Sequence, residues 1–180
     1  MNLLQKYLNE ARESGRFVDV YRDNHDDSAR FCRIDKVTEY CVLATRINDH
    51  GEYDGISVFC VDHITRLRWG GTDREAQSKL AARTGTLPAA PNIDLTTLPD
   101  IVQSVHHHFG YVNVAIEEID RGICFIGEVM AVDDDHLVLH EYGPMEALDR
   151  SMLVLNTKEI TKVEADGKYE RDILYLHQSS

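Results

Sequence analysis

The sequence contains no long apolar run and no sign of a targeting segment. Its longest apolar runs are short, such as "LVL" and "YCVLA", whereas a helix that spans a bilayer needs about 20 apolar residues. The N-terminal stretch "MNLLQKYLNEARES" lacks the basic segment and apolar stretch of a secretory signal. These absences predict a cytoplasmic protein. Hydrophobic residues make up 43% of the chain, which is enough to form the core of one domain or of two small ones.

Signals for cysteine pairing are also missing. The chain has four cysteines, and none of them forms a Cys-x-x-Cys pair. Each lies in an apolar, strand-like run, which favours a reduced core thiol over a disulfide frame or a zinc site. We predict that all four are unpaired and largely buried: Cys32, Cys41, Cys60 and Cys124. No feature of the sequence indicates a cofactor.

Basic residues are scarce in the second half of the chain. Residues 1–84 hold 14 Asp and Glu against 13 Lys and Arg, a net charge of −1, whereas residues 85–180 hold 17 against 6, a net charge of −11. Because phosphate backbones are bound mainly through Lys and Arg, the second half is a poor surface for nucleic acid. Only the first half can offer RNA or DNA a favourable surface.

What the sequence does contain is a near repeat of itself. The stretch "GISVFCVDHITRLRWGG" at 55–71 corresponds to "SMLVLNTKEITKVEADG" at 151–167, and "FVDV" at 17–20 corresponds to "YVNV" at 111–114. The offset between matching stretches drifts only from 94 to 96 residues, as single-residue loop insertions would make it do. A long period that occurs only twice predicts two copies of one small domain rather than a solenoid.

Each copy is predicted to be one helix followed by five short strands. The stretches "NLLQKYLNEARES" and "LTTLPDIVQSVHHHFG" have apolar residues at helical spacing and end at a glycine, Gly15 or Gly110. Runs rich in Val, Ile, Phe and Tyr with a period of two follow each helix. We expect a mainly β protein with short helices, the first domain at 1–82, a linker at 83–94 and the second domain at 95–180. A further short helix is expected within 70–82.

One stretch, "FIGEVMAVDDDHLVL" at 125–139, carries a family resemblance. It resembles the first motif of the Sm-like proteins, which are small SH3-like barrels; the matching residues are Phe125, Gly127, Val129, Val132, Asp133 and Leu139. The resemblance implies that each half is a five-stranded small barrel. It also implies that Gly127 permits a sharp strand bend and that Asp133 accepts hydrogen bonds from amides of the following turn.

The residues that carry RNA binding in Sm-like proteins are absent here. The Met-Asn pair is missing, with His136 in its place, and the Arg-Gly of the second motif is replaced by "CVDHI" and "LNTKEI". In the first copy Arg33 stands where Gly127 does, and Thr38 stands where Asp133 does. The resemblance therefore implies a fold and not RNA binding. The stretch "GEYDGISVF" with "DHITRLRW" also resembles a group of uncharacterised bacterial proteins, which implies a bacterial origin and no activity.

Three polar clusters are candidate metal or acid sites, and each has a simpler structural interpretation. His106, His107 and His108 point in three directions from one helix, so at most two can share a metal, and we expect an exposed helix end with favourable dipole contact instead. The stretch "NDHGEYDG" at 48–55 lacks the spacing of a calcium loop and predicts a hairpin turn. The triplet "DDD" at 133–135 can hold a hard cation or share a proton, but we expect a solvated turn. No catalytic motif and no metal ligand set are predicted.

One basic set in the first copy is a candidate binding face. Arg66 and Arg68 alternate along the last strand beside Trp69, and further arginines fall on the neighbouring strands; the whole set is Arg30, Arg33, Arg46, Arg66, Arg68 and Trp69. An arginine and aromatic face can bind RNA. The alternative is a solvated face whose arginines pair with Asp19, Asp35 and Glu39.

These patterns favour a non-catalytic cytoplasmic module for protein interaction or assembly. Small barrels of this kind associate by pairing edge strands, so a protein partner or self-association is expected, and neither a membrane nor nucleic acid is. Two alternatives stay open: RNA binding through the first copy, and a metal-dependent or hydrolytic enzyme with a site between the copies.

Overall fold

The computed structural model describes residues 2–145 and 149–179, so the outermost residues of the two predicted domains, Met1 and Ser180, lie outside it. The chain divides into two compact units, Met1–Ala90 and Pro91–Ser180. This division falls within the predicted linker, whose first residues belong to a helix that ends at Thr84. None of the helices in the described part of the chain is both long and apolar enough to cross a membrane.

Unit 1 begins with a helix that ends at the predicted glycine and is capped by a side chain at its start. The side chain of Asn2 accepts a hydrogen bond from the Gln5 amide at the start, and Gly15 ends the helix with a φ of 65°. Five strands and a second helix follow. The elements of unit 1 are α1 Leu3–Ser14, β1 Phe17–Tyr21, β2 Arg30–Val37, β3 Cys41–Ile47, β4 Tyr53–Cys60, β5 Arg66–Arg68 and α2 Thr72–Thr84, with a 3-10 turn at Val61–His63.

Unit 2 repeats this order. Its first helix is capped by the Thr97 side chain, which accepts from the Asp100 amide, and by Gly110 with a φ of 83°. The elements of unit 2 are α3 Leu98–Phe109, β6 Val112–Ala115, β7 Cys124–Val132, β8 His136–Glu141, β9 Ser151–Asn156, β10 Lys162–Ala165 and α4 Lys168–Gln178, with a 3-10 turn at Thr157–Glu159. The final helix α4, in which Glu170 and Ile173 are buried, was not predicted.

Both units arrange their five antiparallel strands in the same order. Within unit 1 the order is β5-β1-β2-β3-β4, and within unit 2 it is β10-β6-β7-β8-β9. A register shift breaks the second ladder between Ile34 and Lys36 in unit 1 and between Val129 and Ala131 in unit 2. The protein is therefore mainly β with short helices, as predicted. The predicted closure into small barrels is not seen, because the described ladders are open and no pairing joins β4 to β5 or β9 to β10.

The core of each unit lies between its first helix and its sheet. In unit 1, Leu8 and Ala11 of α1 pack on Val18 and Val20 of β1 and on apolar residues of β2, β3 and β4. In unit 2, α3 packs on β6, β7 and β10. The buried apolar residues there include Val102, Val105, Val112, Leu137 and Leu139. Alternating apolar positions of each strand thus meet the apolar stripe of one helix.

The close approach of a neighbouring strand also requires a glycine at position 127. Gly127 pairs with Val112 on one side and with Glu141 on the other. A Cβ atom at this position would lie 2.8 Å from the His140 carbonyl oxygen and 2.9 Å from the Glu141 Cα. Glycine therefore permits β7 and β8 to approach closely.

The cysteines follow the prediction only in part. All four are unpaired, and Cys32 is buried as expected, but Cys41 and Cys60 are half-buried and Cys124 is exposed. Cys124 is the first residue of β7, so it lies at the end of an apolar run rather than inside it. The apolar run alone therefore gave a wrong prediction for its burial.

Candidate functional site

The outer edge of β9 lacks the usual protection of an edge strand. Strand β9 is the outermost strand of its sheet, and its sequence, "SMLVLN", contains no charge and no proline. Met152 and Val154 are each 60% exposed. Edge strands normally carry charges, prolines or bulges, or are very short, because an unprotected edge pairs with other chains. We call this strand, Ser151–Asn156, the β9 edge.

The backbone hydrogen bonds show which amides of the β9 edge point away from β8 and can pair with another strand. The Thr157 amide donates to the Asp135 carbonyl at 3.0 Å, so His136 and Asn156, which are directly opposite, form a non-hydrogen-bonded pair. Amide direction alternates along a strand. The amides of Leu153 and Leu155 therefore point toward β8, whereas those of Met152, Val154 and Asn156 point away from the sheet.

Strand β5, at one end of the unit 1 strand order, is protected in ways that the β9 edge is not. Strand β5 has three residues, two of which are arginines. The Arg66 guanidinium donates to Asp23 at 2.5 Å and lies 3.9 Å from the centre of the Tyr21 ring. Arg68 donates to Asp73 at 2.9 Å. A short, charged edge that carries ion pairs is a poor template for another strand.

The structure does not gather the predicted arginines on one face. In the ladder Arg66 and Arg68 stand opposite Tyr21 and Asp19, whereas Arg30 is opposite Val20 and Arg46 is opposite Cys32. Directly opposite side chains share a face of the sheet. Arg30 and Arg46 therefore stand at positions of the face that carries the core, and Arg66 and Arg68 at positions of the other face.

Most of these arginines are neutralised by carboxylates. Arg30 pairs with Asp26 at 2.6 Å, and Arg33 pairs with Asp35 at 2.6 Å. With the pairs of Arg66 and Arg68, this agrees with the solvated, paired alternative rather than with an open cationic surface. Asp35 is a partner as predicted, but Asp19 pairs with Arg74 of α2, at 2.8 Å. That partner was missed because α2 is distant from β1 in sequence.

Asp19 is the most deeply buried acid of unit 1. Its side chain has no exposed surface, burial raises its pKa, and the nearby Arg74 opposes the shift. It borders a polar pocket of about 410 Å³ that Arg30 and Arg46 also line. Because Arg74 covers the carboxylate, the group is held as part of an ion pair rather than presented to solvent.

Trp69 lies beside a second, more open groove. Its ring is 5.2 Å from that of Tyr7, and the Arg16 guanidinium is 4.9 Å from its centre. The groove, of about 620 Å³, is also lined by Arg74 and Lys79. The predicted association of Trp69 with Arg66 and Arg68 is thus replaced by stacking against residues near α1.

The three predicted polar clusters lie in turns and at a helix end. His106 to His108 form the last turn of α3, and within the described residues none of them belongs to a group that could hold a metal. Residues 48–55 include the β3–β4 turn, where the Asn48 side chain accepts from the amides of His50 and Glu52.

The Asp triplet forms the β7–β8 turn, as predicted. The Asp133 side chain accepts from the amides of Asp135 and His136, and these backbone hydrogen bonds lower the pKa of Asp133. In unit 1 the Thr38 hydroxyl accepts from the amides of Tyr40 and Cys41 in the same way. The two turns therefore use one capping geometry with two different side chains.

Comparisons of this chain with protein-family models, with curated proteins and with solved structures found no match. The chain's own surfaces are therefore the guide to its function. The exposure of the β9 edge was not visible in the sequence, because the pattern "SMLVLN" does not say which strand of the sheet is outermost.

Proposed function

We propose that this protein is a non-catalytic interaction module that self-associates by pairing the β9 edge with the same strand of a second copy. The observation that carries the proposal is a six-residue outer strand without charge or proline, in which Met152 and Val154 are each 60% exposed. Strand β5, by comparison, is short and carries two paired arginines. Of these two strands only β9 has an unprotected edge, and an unprotected edge is a pairing surface.

The symmetric register follows from the direction of the backbone groups. A two-fold axis at Val154 pairs its outward amide and carbonyl with those of Val154 in the second copy, and Met152 then meets Asn156. Such an isologous contact closes after two chains. It also places no like charges opposite one another on the strands, because β9 carries none.

The first experiment compares Val154→Pro with Val154→Thr by sedimentation velocity over a range of concentrations. Proline removes the outward amide but leaves the hydrogen bonds to β8, since the Val154 amide does not point toward β8. The dimer loses two hydrogen bonds of about 1 kcal/mol each, so the dissociation constant should rise at least about tenfold. Threonine keeps the amide and should dimerise like the parent. A parent protein that stays monomeric, or a proline variant that dimerises unchanged, would refute the proposal.

Salt and the β5 edge separate this proposal from RNA binding. Two copies of the −11 half repel each other, so dimerisation should strengthen as salt rises, whereas RNA binding weakens with salt. The matched variant Arg66→Gln/Arg68→Gln alters β5 instead of β9 and should leave dimerisation unchanged. If this variant instead prevents dimerisation, β5 is the interface. Submicromolar binding to single-stranded RNA with a steep salt dependence would favour RNA binding over the proposed function.

We also infer that the two units are copies of one Sm-like module. The shared strand order, the shared position of the ladder irregularity and the 3-10 turn before each last strand support this inference. The cross-strand set Val18, Cys32 and Arg46 corresponds to Val112, Gly127 and Glu141, so Cys32 rather than Arg33 stands at the position of Gly127. A crystal structure in which residues 17–69 and 111–164 fail to superpose would refute it.

A further inference from the structure

Two cysteines of unit 1 face each other across a hairpin. Cys41 is the first residue of β3, Cys60 is the last residue of β4, and the two stand directly opposite. The Val61 amide donates to the Tyr40 carbonyl at 2.7 Å, so the next pair inward, Cys41 and Cys60, is not hydrogen-bonded through its backbone. In such pairs the Cα atoms are about 4.5 Å apart, which lies within the range that a disulfide spans.

Both thiols are accessible and already in contact. Cys41 and Cys60 are half-buried, and their side chains are hydrogen-bonded to each other. The hydrogen bond from Cys41, helped by the positive charge of Arg22, lowers the pKa of Cys60 to about 7. The same hydrogen bond, together with burial, raises the pKa of Cys41. One sulfur is thus prepared as the thiolate nucleophile and the other as its thiol partner.

The fold does not require cysteine at this place. The corresponding pair in unit 2 is His136 and Asn156, which also stand directly opposite at the start of β8 and the end of β9. Side chains other than cysteine therefore fit this position of the ladder. The thiols of unit 1 add a chemical property that packing alone does not explain.

We propose that Cys41 and Cys60 form a peroxide-sensitive thiol pair in which Cys60 is oxidised first and Cys41 resolves it to a disulfide. The Cys60 thiolate attacks one peroxide oxygen, the O–O bond breaks, and the departing hydroxide takes up a proton to give water; Cys60 becomes a sulfenic acid. The Cys41 sulfur then attacks the Cys60 sulfur. The S–S bond forms as the S–O bond breaks, and hydroxide leaves with the Cys41 proton as a second water. Two thiols and one hydrogen peroxide thus give one disulfide and two waters.

The test exposes the native full-length protein to a small excess of hydrogen peroxide at pH 7. Mass spectrometry without reductant should show the loss of two hydrogen atoms, and peptide mapping should find Cys41 linked to Cys60. Cys32 and Cys124 serve as internal controls, since Cys32 is buried and Cys124 stands opposite Ala115. A reductant should restore the starting mass. Unchanged thiols at Cys41 and Cys60, or a disulfide that links other residues or two chains, would overturn the proposal.

Single variants separate the two roles. In Cys41→Ser the sulfenic acid at Cys60 has no partner and should be trapped by dimedone. The trapping should run faster than at Cys124, because the serine hydroxyl can still donate a hydrogen bond to the Cys60 thiolate and the positive charge of Arg22 remains. In Cys60→Ser the remaining Cys41 should stay unlabelled. Equal labelling of Cys41 and Cys60 would contradict the assigned order, and circular dichroism checks that both variants fold.

Discussion

Replacement of Lys162 by methionine tests whether one buried ammonium group stabilises unit 2. Lys162 lies on β10 with only 8% of its side chain exposed. Its Nζ is 3.1 Å from Glu117 Oε1 and 3.4 Å from Glu164 Oε2. The two carboxylates are just as buried, and Glu117 also accepts from the Thr161 hydroxyl at 2.7 Å. Methionine has nearly the length of the lysine stem, so Lys162→Met removes the charge and keeps most of the packing.

The expected loss follows from the burial of all three groups. Removal of one partner from a buried ion pair costs about 3–5 kcal/mol, because the remaining charge stays in a poorly solvated place. Burial of the methionine methyl group recovers at most about 1 kcal/mol. We therefore expect the free energy of unfolding to fall by about 2–4 kcal/mol.

Urea denaturation followed by circular dichroism measures this loss as a lower midpoint with an unchanged slope. The matched control is Lys158→Met, which breaks an ion pair with Asp135 at a similar distance, 3.1 Å, but with both side chains about two-thirds exposed or more. Its effect should stay within about 0.5 kcal/mol. The loss in Lys162→Met should persist in high salt, since a buried pair is screened little. Equal losses in the two variants would show that Lys162 is effectively solvated and refute the reasoning.

Two further predictions concern a glycine and a carboxylate. Gly127→Ala should destabilise the protein by about 1 kcal/mol or more, because its Cβ overlaps β8 and overpacking costs about 1–3 kcal/mol; Gly122→Ala, which meets only the Asp120 side chain at 3.3 Å, should be nearly neutral in the same urea assay. Hydrogen bonds from Arg66 and then Thr65 lower the pKa of Asp23 from 3.8 to about 2, so its stabilising contribution is complete above pH 3.8 and is lost as the pH falls through about 2. An NMR titration of Arg66→Gln should return the Asp23 pKa toward 3.8, and an unchanged pKa would contradict this assignment.

Local signals in the sequence predicted the elements and turns well. Helix ends at Gly15 and Gly110 follow from the freedom of glycine to adopt a positive φ. The amide-accepting function of Asp133 follows from a short side chain at the start of a turn. Each of these depends on residues within a few positions of one another, which is the distance over which sequence patterns are informative. The helix α4 has the same kind of signal in "KYERDILYLHQ" and follows β10 as α2 follows β5, so the helix predicted within 70–82 could have been predicted in the second copy as well.

The pairing of charges could not be predicted in the same way. Arg66 and Asp23 are 43 residues apart, and Arg74 and Asp19 are 55 residues apart. Their contacts depend on the order of strands and on where α2 packs. The opposition of Cys41 and Cys60 likewise depends on the register of one hairpin, in which a slip of one residue would place the two side chains on opposite faces.

The difference between strands β5 and β9 has a consequence for assembly on the proposed pairing. A chain with two unprotected edges would add copies at both ends and grow into a fibre, because each new contact would leave another edge open. Here the arginines of β5 are held by Asp23 and Asp73, and the strand is too short to template a long ladder. Growth through β9 alone stops at two chains, since each β9 edge is covered by the other. Pairing through the six residues of β9 therefore gives a dimer. The charges of β5 are needed for this limit, because they keep β5 from pairing with a further copy.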